Sequence, residues 1–300
     1  MVAPVRSLHR QAPTIQSDLH LPNLSMLKTR VLTAIVLLAV LLPILFFLPP
    51  IYLSIFLLIA VVAAAWEWSR MIAPNAKYSA WIYAALCLCI IFALFGLNDP
   101  TWQFGLLFIA VLFWFFNAPF LLARGMRLSL EKWRYYYGVL GLILLPATWF
   151  ALIFLREIGL IFMLSTMALV WIADIGAYFV GKAFGKRRLA AQISPGKSVE
   201  GALGGMVLCY AYALACVFFL PLDATLFGAW AFRFGWIPLW LMVTVLVAFS
   251  IFGDLFESQL KRLAGVKDSS QLLPGHGGVL DRVDALLPVM PIAALLAGFI

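Results

Sequence analysis

Residues 254–284 form a dense cluster of chemically useful side chains in an otherwise apolar chain. This stretch contains five of the thirteen carboxylates, four of the twenty-one Lys and Arg residues and one of the three histidines, although the chain is 65% hydrophobic and only 11% charged. Charge at this density beside membrane-spanning sequence is costly, which favours a functional role. Carboxylates suit Mg²⁺ and leave room for water and phosphates, while basic side chains neutralise phosphate oxygens. The residue types therefore predict phosphate chemistry.

The first half of this stretch has helical spacing. Asp254, Glu257, Ser258, Lys261 and Arg262 fall at i, i+3, i+4, i+7 and i+8, so a helix would present them on one face. An ordinary solvated face with i,i+4 ion pairs is the alternative. Because this helix would emerge directly from lipid, we expect the face to line a site.

The second half is a glycine-rich loop followed by paired aspartates. We expect Gly265 to end the preceding helix, and the glycines of residues 274–278 to permit close backbone approach to phosphate. His276 in this loop is better suited to donate a hydrogen bond to a phosphate than to act as a general base. Asp281 and Asp284 stand one turn apart at the next helix start, where charge at a helix N-terminus is the alternative role for either.

A second polar segment precedes this one in the chain. Asp174 is the only carboxylate well inside a predicted span, so we expect it to face a cavity or a partner. In residues 193–201, Ser198 can cap a helix and Glu200 favours its positive end. The same geometry would also gather phosphate oxygens around Lys197. The segment alone leaves both interpretations open.

The elements that must position these residues are membrane helices. A span needs about 20 mostly apolar residues, and lipid offers bare backbone no hydrogen bonds, so helices are expected. The sequence predicts an all-α, polytopic membrane helix bundle with about nine transmembrane helices. The predicted spans are residues 32–48, 51–68, 81–97, 102–122, 137–155, 160–179, 201–220, 237–252 and 286–300.

Loop charge predicts the orientation. With nine spans and a cytoplasmic N-terminus, 19 Lys and Arg residues lie inside and only Arg156 and Arg233 lie outside. The positive-inside rule favours this split, which places the polar segments at the cytoplasmic face. The net charge of +8 suits an anionic lipid surface, whereas nucleic acid is a poor alternative because the basic residues occupy separate short loops.

The chain divides into two parts. Residues 1–25 are polar and lack a periodic apolar face, so we predict a disordered N-terminal extension or a misassigned start. Residues 26–300 form the predicted integral membrane domain.

The polar segments also resemble a known family. The run Ser258-x2-Lys261-Arg262-x4-Lys267-Asp268-x5-Pro274-x-His276-Gly277-Gly278-x2-Asp281-Arg282-x-Asp284 is similar to the signature of the phosphatidate cytidylyltransferase family. The W-x2-D-x2-A-Y segment at Trp171 and the I-S-P-x-K-S-x-E-G segment at Ile193 resemble further family motifs. The resemblance runs from residue 26 to the C-terminus, with Gly196 as a departure where a larger polar residue is usual.

The resemblance implies that CTP and phosphatidic acid react with Mg²⁺ to give CDP-diacylglycerol and pyrophosphate. It suggests a homodimer in the bacterial inner membrane and leaves a second cation open. Implied metal ligands are Asp254, Asp281 and, less directly, Asp174. Implied catalytic residues are Asp254, Asp281, Lys261, Asp284 and Asp268. Implied substrate-binding residues are Ser194, Lys197, Ser258, Arg262, Lys267, His276, Gly277, Gly278 and Arg282.

Two other functions fit the same residues. Spacing does not reveal acyl chains, so a CTP-dependent kinase or a cytidylyltransferase acting on a polyprenyl or archaeal-type lipid is the nearer alternative. A cation-coupled transporter would use Asp174 and the charged loop as a path. Transporter sites lie near the bilayer midplane, whereas most ionisable groups here cluster at one interface, which disfavours the transporter.

Overall fold

The structure, a computed structural model, describes residues 24–74, 78–97 and 99–300. Twelve α-helices occupy these residues. They are α1 (Leu24–Phe46), α2 (Pro50–Ile72), α3 (Ser79–Gly96), α4 (Pro100–Leu112), α5 (Ala118–Arg124), α6 (Leu130–Ile158), α7 (Leu160–Phe184), α8 (Val199–Phe219), α9 (Leu226–Phe234), α10 (Trp236–Leu263), α11 (Leu280–Val283) and α12 (Leu286–Ala297). A π-helical turn, Phe113–Asn117, joins α4 to α5. The predicted N-terminal extension lies outside the described residues except for its last two, with which α1 begins.

Seven helical segments of the described residues are long and apolar enough to cross a membrane. One of them combines α4, α5 and their neighbouring turns as Pro100–Arg127. The predicted helical membrane bundle is confirmed. The first and last predicted spans are also helical, but their apolar parts, Val31–Phe46 and Leu286–Ala297, are shorter than the other seven. The count of nine and the orientation of the N-terminus stay predictions.

A short two-stranded antiparallel hairpin, which the sequence analysis did not predict, accompanies the helices. It pairs β1 (Arg188–Ala190) with β2 (Ser194–Ser198), placing Ala190 opposite Ser194. The hairpin lies in the connection between α7 and α8, outside both helices. Ser194 and Lys197 of the second polar segment therefore lie on an ordered strand.

Glycines bring α7 and α8 into close contact. A Cβ atom on Gly205 would lie 2.6 Å from the carbonyl oxygen of Ala173, and one on Gly201 would lie 2.6 Å from that of Ala177. Small residues let backbones approach in this way in membrane helix pairs. This close packing fixes Asp174 on α7 relative to the start of α8.

An aromatic cluster supports the end of α10. The Phe256 ring packs against Trp68, Trp114 and Tyr137 at centroid distances of 6.1, 5.5 and 6.2 Å. All four side chains are almost fully buried. This packing holds the end of α10 against α2, α6 and the π-helical turn that follows α4.

Several connections meet at one end of the bundle, here called the site end. Gln259 on α10 donates its side-chain amide to the carbonyl oxygens of Leu121 (2.9 Å) and Gly125 (2.8 Å), which lie at the end of α5. Thr33 near the start of α1 donates its hydroxyl to the carbonyl oxygen of Pro274 (2.8 Å). The glycine loop and the connection after α5 are therefore tied to the same end.

Candidate active site

The first part of the site is a cavity at the end of α7, α8 and α10. Asp254 on α10 forms an ion pair with Lys197 on β2, and the Ser258 hydroxyl donates to Asp254 Oδ1 at 3.2 Å. Asp174, Ser194, Lys197 and Asp254 line a cavity of about 400 Å³. The structure thus brings together residues from both polar segments, as the sequence predicts.

The remaining cavity walls are mostly apolar. They include Ala173, Ala202 and Val247 on the membrane helices. One wall therefore carries charge while the others suit hydrocarbon. This combination can accommodate an anionic group attached to an apolar chain.

The start of α8 holds Lys197 in place. The Ser198 hydroxyl accepts a hydrogen bond from the Gly201 N–H at 3.1 Å, so the predicted helix cap is present. Glu200 Oε2 accepts from the backbone N–H groups of Lys186 (3.0 Å) and Arg187 (3.1 Å). These contacts order the hairpin on which Lys197 lies.

The second part of the site is a buried ion network around Lys261. Its ammonium group forms ion pairs with Glu257 and, at 2.6 Å, with Asp281 Oδ1. The Lys261 side chain is 11% exposed and that of Glu257 is 0% exposed. Lys261 of the predicted helix face is directed inward between carboxylates, whereas Arg262 of the same face is exposed.

Asp281 binds the loop that precedes it. Its Oδ2 atom accepts from the Ser269 N–H (3.0 Å), the Ser269 hydroxyl (2.9 Å) and the Gly278 N–H (2.8 Å). Burial raises the pKa of Asp281, but hydrogen bonds from Lys261, Gly278 and Ser269 outweigh this effect and leave the pKa below its usual value. Both oxygens of this predicted metal ligand accept hydrogen bonds from protein donors.

Asp284 links the two parts of the site. Its Oδ1 atom accepts from the Ala285 N–H at 2.8 Å. Burial raises the pKa of Asp284 most, and the charge of Asp254 raises it further, to about 7, while Lys197 and Lys261 act in the opposite direction. Asp254 and Asp284 therefore form a repulsive carboxylate pair.

Glu67 on α2 is a site residue that the sequence analysis missed. Its fully buried carboxylate accepts four hydrogen bonds from residues 269–280. Asp174 is therefore not the only carboxylate well inside a span, and that prediction is wrong. Helix α2 continues past Glu67 to Ile72, and the residue range of α10 includes Asp254 and Glu257. A carboxylate in the apolar run Trp66-Glu67-Trp68 was the available signal.

The glycine loop uses its small residues for packing. A Cβ atom on Gly278 would clash with the Ser269 hydroxyl and lie 2.6 Å from Glu67 Oε1. Gly277 has φ +83°, and a Cβ atom there would lie 2.8 Å from Asp281 Oδ2. These glycines allow two carboxylates to reach the loop backbone. Their predicted approach to phosphate stays a prediction.

Other predicted residues lie apart from the Asp254 cavity. Lys267 and Asp268 line a separate cavity of about 730 Å³ together with Trp66 and Arg70. Arg282 donates its Nε–H to the His276 carbonyl oxygen at 2.9 Å. The exposed Arg262 donates to the Val266 carbonyl oxygen at 3.4 Å.

The residues around Asp254 fit a divalent cation in part. Among the described residues, no group of three or more His, Cys, Asp or Glu side chains is arranged to hold a metal ion. The repulsive pair of Asp254 and Asp284 nevertheless supplies carboxylate oxygens of the kind Mg²⁺ binds. Asp174 lies close enough to Asp254 for their charges to interact. Asp281 fits less well because protein donors already contact both of its oxygens.

Fold and site together define a multi-pass membrane protein with a charged site at one end of its helices. Residues 28–300 match the cytidylyltransferase family. The chain is 39% identical to the phosphatidate cytidylyltransferase of Pseudomonas aeruginosa, across 90% of this chain and 97% of the relative. It is 37% identical to the phosphatidate cytidylyltransferase of Haemophilus influenzae, across 89% and 96%, and 45% identical to that of Bacillus subtilis, across 46% and 47%.

The chain belongs to the cytidylyltransferase family, and the family named from its signature residues is confirmed.

Proposed function

We propose that this protein transfers a cytidylyl group from CTP to phosphatidic acid, producing CDP-diacylglycerol and pyrophosphate. Similarity to phosphatidate cytidylyltransferases over nearly the whole chain supports this activity. The observation that carries it within the molecule is the cavity of Asp174, Lys197 and Asp254, whose other walls are apolar membrane helices. Such a cavity suits a lipid with an anionic phosphate.

The reaction needs positioning and charge neutralisation more than a strong base. An oxygen of the lipid phosphate attacks the α-phosphorus of CTP, a new P–O bond forms, and the bond to the pyrophosphate leaving group breaks. The attacking phosphate is already anionic near neutral pH, and phosphoryl-type transfers depend largely on electrostatic stabilisation. Lys197 and Lys261 are the basic residues best placed to offset the charge of the two substrates.

The site carries more negative than positive charge, which supports a metal cofactor. The two parts of the site together contain five carboxylates and two lysines. The carboxylates are those of Asp174, Asp254, Glu257, Asp281 and Asp284, and the lysines are Lys197 and Lys261. A surplus of carboxylate would repel two anionic substrates unless a cation offset it.

We therefore propose Mg²⁺ as cofactor, with Asp254 and Asp284 as its principal ligands and Asp174 nearby. When bound, it would neutralise phosphate charge. Asp281 then serves to order the loop and to hold Lys261. A second cation stays open.

We further propose that the site faces the cytoplasm at the inner membrane, where CTP is available. Basic residues at the site end, including Arg124, Arg127, Arg187 and Arg188, support this orientation through the positive-inside rule. A homodimer is also proposed, on the family resemblance alone.

Transfer of labelled phosphate tests the activity. Purified protein in lipid vesicles with phosphatidic acid, CTP and Mg²⁺ should move label from the α-phosphate of CTP into lipid. Label entering lipid from the γ-phosphate would instead indicate a kinase. If neither label enters lipid, cytidylyl transfer is wrong and the transporter alternative gains support.

Asp254→Asn tests the site. The substitution removes the carboxylate that pairs with Lys197 and adjoins Asp284, so transfer should fall by roughly 100-fold or more, as expected when charge stabilisation at a reacting centre is lost. Asp223→Asn removes one carboxylate from the exposed turn before α9 and should leave transfer unchanged. Wild-type activity in Asp254→Asn would contradict the assignment.

A further inference from the structure

Glu67 lies on a membrane helix yet makes all of its described hydrogen bonds with the distant signature loop. Its Oε1 atom accepts from the Val279 N–H (2.9 Å) and the Ser270 hydroxyl (2.5 Å). Its Oε2 atom accepts from the Leu280 N–H (2.7 Å) and the Ser269 hydroxyl (3.1 Å). The carboxylate is 0% exposed, so water does not compete for these donors.

The two backbone donors belong to the start of α11. The first N–H groups of a helix have no partner within it and need an acceptor from outside. Helix α11 has only four residues, Leu280–Val283, and a helix this short is not stable alone. Glu67 therefore supplies from α2 the acceptors that the first turn of α11 needs.

A short chain of contacts connects Glu67 to the ion network of the site. The Ser269 hydroxyl lies 3.1 Å from Glu67 Oε2 and 2.9 Å from Asp281 Oδ2. Asp281 in turn accepts from Lys261 at 2.6 Å. A displacement of the loop at Ser269 would therefore reach Asp281 and Lys261.

The packing leaves little room for an alternative arrangement. A Cβ atom on Gly278 would lie 2.6 Å from Glu67 Oε1 and would clash with Ser269. On the next residue of α2, Trp68 is fully buried and donates its indole N–H to the Tyr137 carbonyl oxygen at 2.9 Å. The carboxylate is thus fixed on a rigid helix and fits directly against the loop backbone.

We propose that Glu67 is a positioning residue, which anchors residues 269–280 to α2 and thereby sets the places of Asp281 and Lys261 for the reaction. Its consequence for activity rests on the proposed cytidylyl transfer. The anchoring itself does not depend on that function, because it is a property of the folded chain.

The geometry requires a carboxylate and not an amide. Each oxygen of Glu67 accepts one backbone N–H, from Val279 or from Leu280. A glutamine in either orientation would place its NH₂ group against one of these N–H groups, leaving a buried donor unsatisfied. Aspartate keeps two acceptor oxygens but is shorter by one methylene.

Hydrogen–deuterium exchange measured by mass spectrometry tests the anchor in the full-length protein. In Glu67→Gln, peptides covering residues 269–284 should exchange roughly 10- to 100-fold faster, the factor expected when one or two hydrogen bonds to a charged acceptor are lost. Glu67→Asp should give a smaller increase. Ser69→Ala is the matched control, because Ser69 is also a buried polar residue of α2 and none of the described hydrogen bonds of the loop involves its side chain. In this variant the loop should exchange as in wild type.

Peptides from α7 and α8 show in the same experiment whether each variant is folded. Unchanged loop exchange in Glu67→Gln with these helices protected would overturn the proposal. If Glu67→Gln loses protection from exchange in α7 and α8 as well as in the loop, the test passes to Glu67→Asp. Loop exchange equal to wild type in Glu67→Asp would overturn the proposal, and faster exchange confined to the loop would support it.

Kinetics separates positioning from general stability. The catalytic efficiency with CTP should fall at least about 10-fold in Glu67→Gln, recover in part in Glu67→Asp and stay unchanged in Ser69→Ala. If the wild-type protein makes no CDP-lipid, the proposed function fails while the exchange result stands. If it is active and Glu67→Gln keeps both wild-type exchange and wild-type efficiency, the anchor alone fails.

Discussion

Lys261 lies between two carboxylates in the interior of the site end, and this position makes it sensitive to substitution. Lys261→Met would leave Glu257 and Asp281 without their shared cation, and removing one partner of a buried ion pair costs about 3–5 kcal/mol. We expect a lower midpoint of thermal unfolding in detergent together with loss of transfer activity.

A double substitution tests whether the cost comes from unpaired charge. Lys261→Met with Glu257→Gln removes one of the two carboxylates and should recover part of the lost stability. Lys186→Met removes one positive charge from the exposed loop before β1 and should unfold as the wild type does. Wild-type stability in Lys261→Met would show that the ion network contributes nothing.

Individual site residues could be predicted where sequence spacing encodes geometry. The positions of Asp254 and Lys261 follow from helical periodicity, since α10 is one continuous helix. Glu67 could not be found in this way, because its partners lie 202 to 213 residues along the chain. The hydrogen bonds to Asp281 were equally hidden, since they depend on how the loop folds back on the aspartate.

The helices were predictable because each apolar run is long and lipid requires hydrogen bonds within the segment. The hairpin of β1 and β2 was not, because its few residues lack an alternating apolar pattern and its order depends on Glu200 contacts at the start of α8. Helix α9 was missed for a related reason: nine residues are too few to register as a span.

The contact between α7 and α8 is the packing on which the Asp174 cavity depends. In Gly205→Ala the added methyl group would lie 2.6 Å from the Ala173 carbonyl oxygen, so the helices must separate. Overpacking of this kind typically costs about 1–3 kcal/mol. We expect reduced thermal stability in detergent and reduced transfer activity, because Asp174 and Lys197 lie on the two sides of this contact.

Gly105→Ala provides the comparison. Gly105 is an exposed glycine of α4, and no atom outside its own helix lies within 4 Å of an added Cβ. The substitution should be neutral or slightly stabilising, because alanine favours helix more than glycine does. Equal effects of the two substitutions would mean that close α7–α8 packing is not what Gly205 provides.

The molecule as a whole is asymmetric in charge along its helices. The described contacts gather the hairpin, the glycine loop and the end of α5 at the site end, and most of the Lys and Arg residues that the structure describes belong to these connections or to the helix ends beside them. Arg233 lies at the opposite end, in α9, where Trp230 donates its indole N–H to the Leu296 carbonyl oxygen at 3.3 Å. This asymmetry combines two requirements, because basic residues that orient the chain also lower the cost of bringing anionic substrates to the site.

Labelling of single cysteines in bacterial cells tests this orientation. In a Cys89→Ser background, Arg127→Cys places a thiol at the site end and Asp223→Cys places one at the opposite end, both at exposed positions. A membrane-impermeant maleimide should label Asp223→Cys in intact spheroplasts and Arg127→Cys only after permeabilisation, since the positive-inside rule directs the basic end to the cytoplasm. The background protein without either cysteine should stay unlabelled, because its remaining cysteines are buried. Labelling of Arg127→Cys in intact spheroplasts would place the site on the outer face, away from cytoplasmic CTP, and would contradict both the orientation and the proposed supply of substrate.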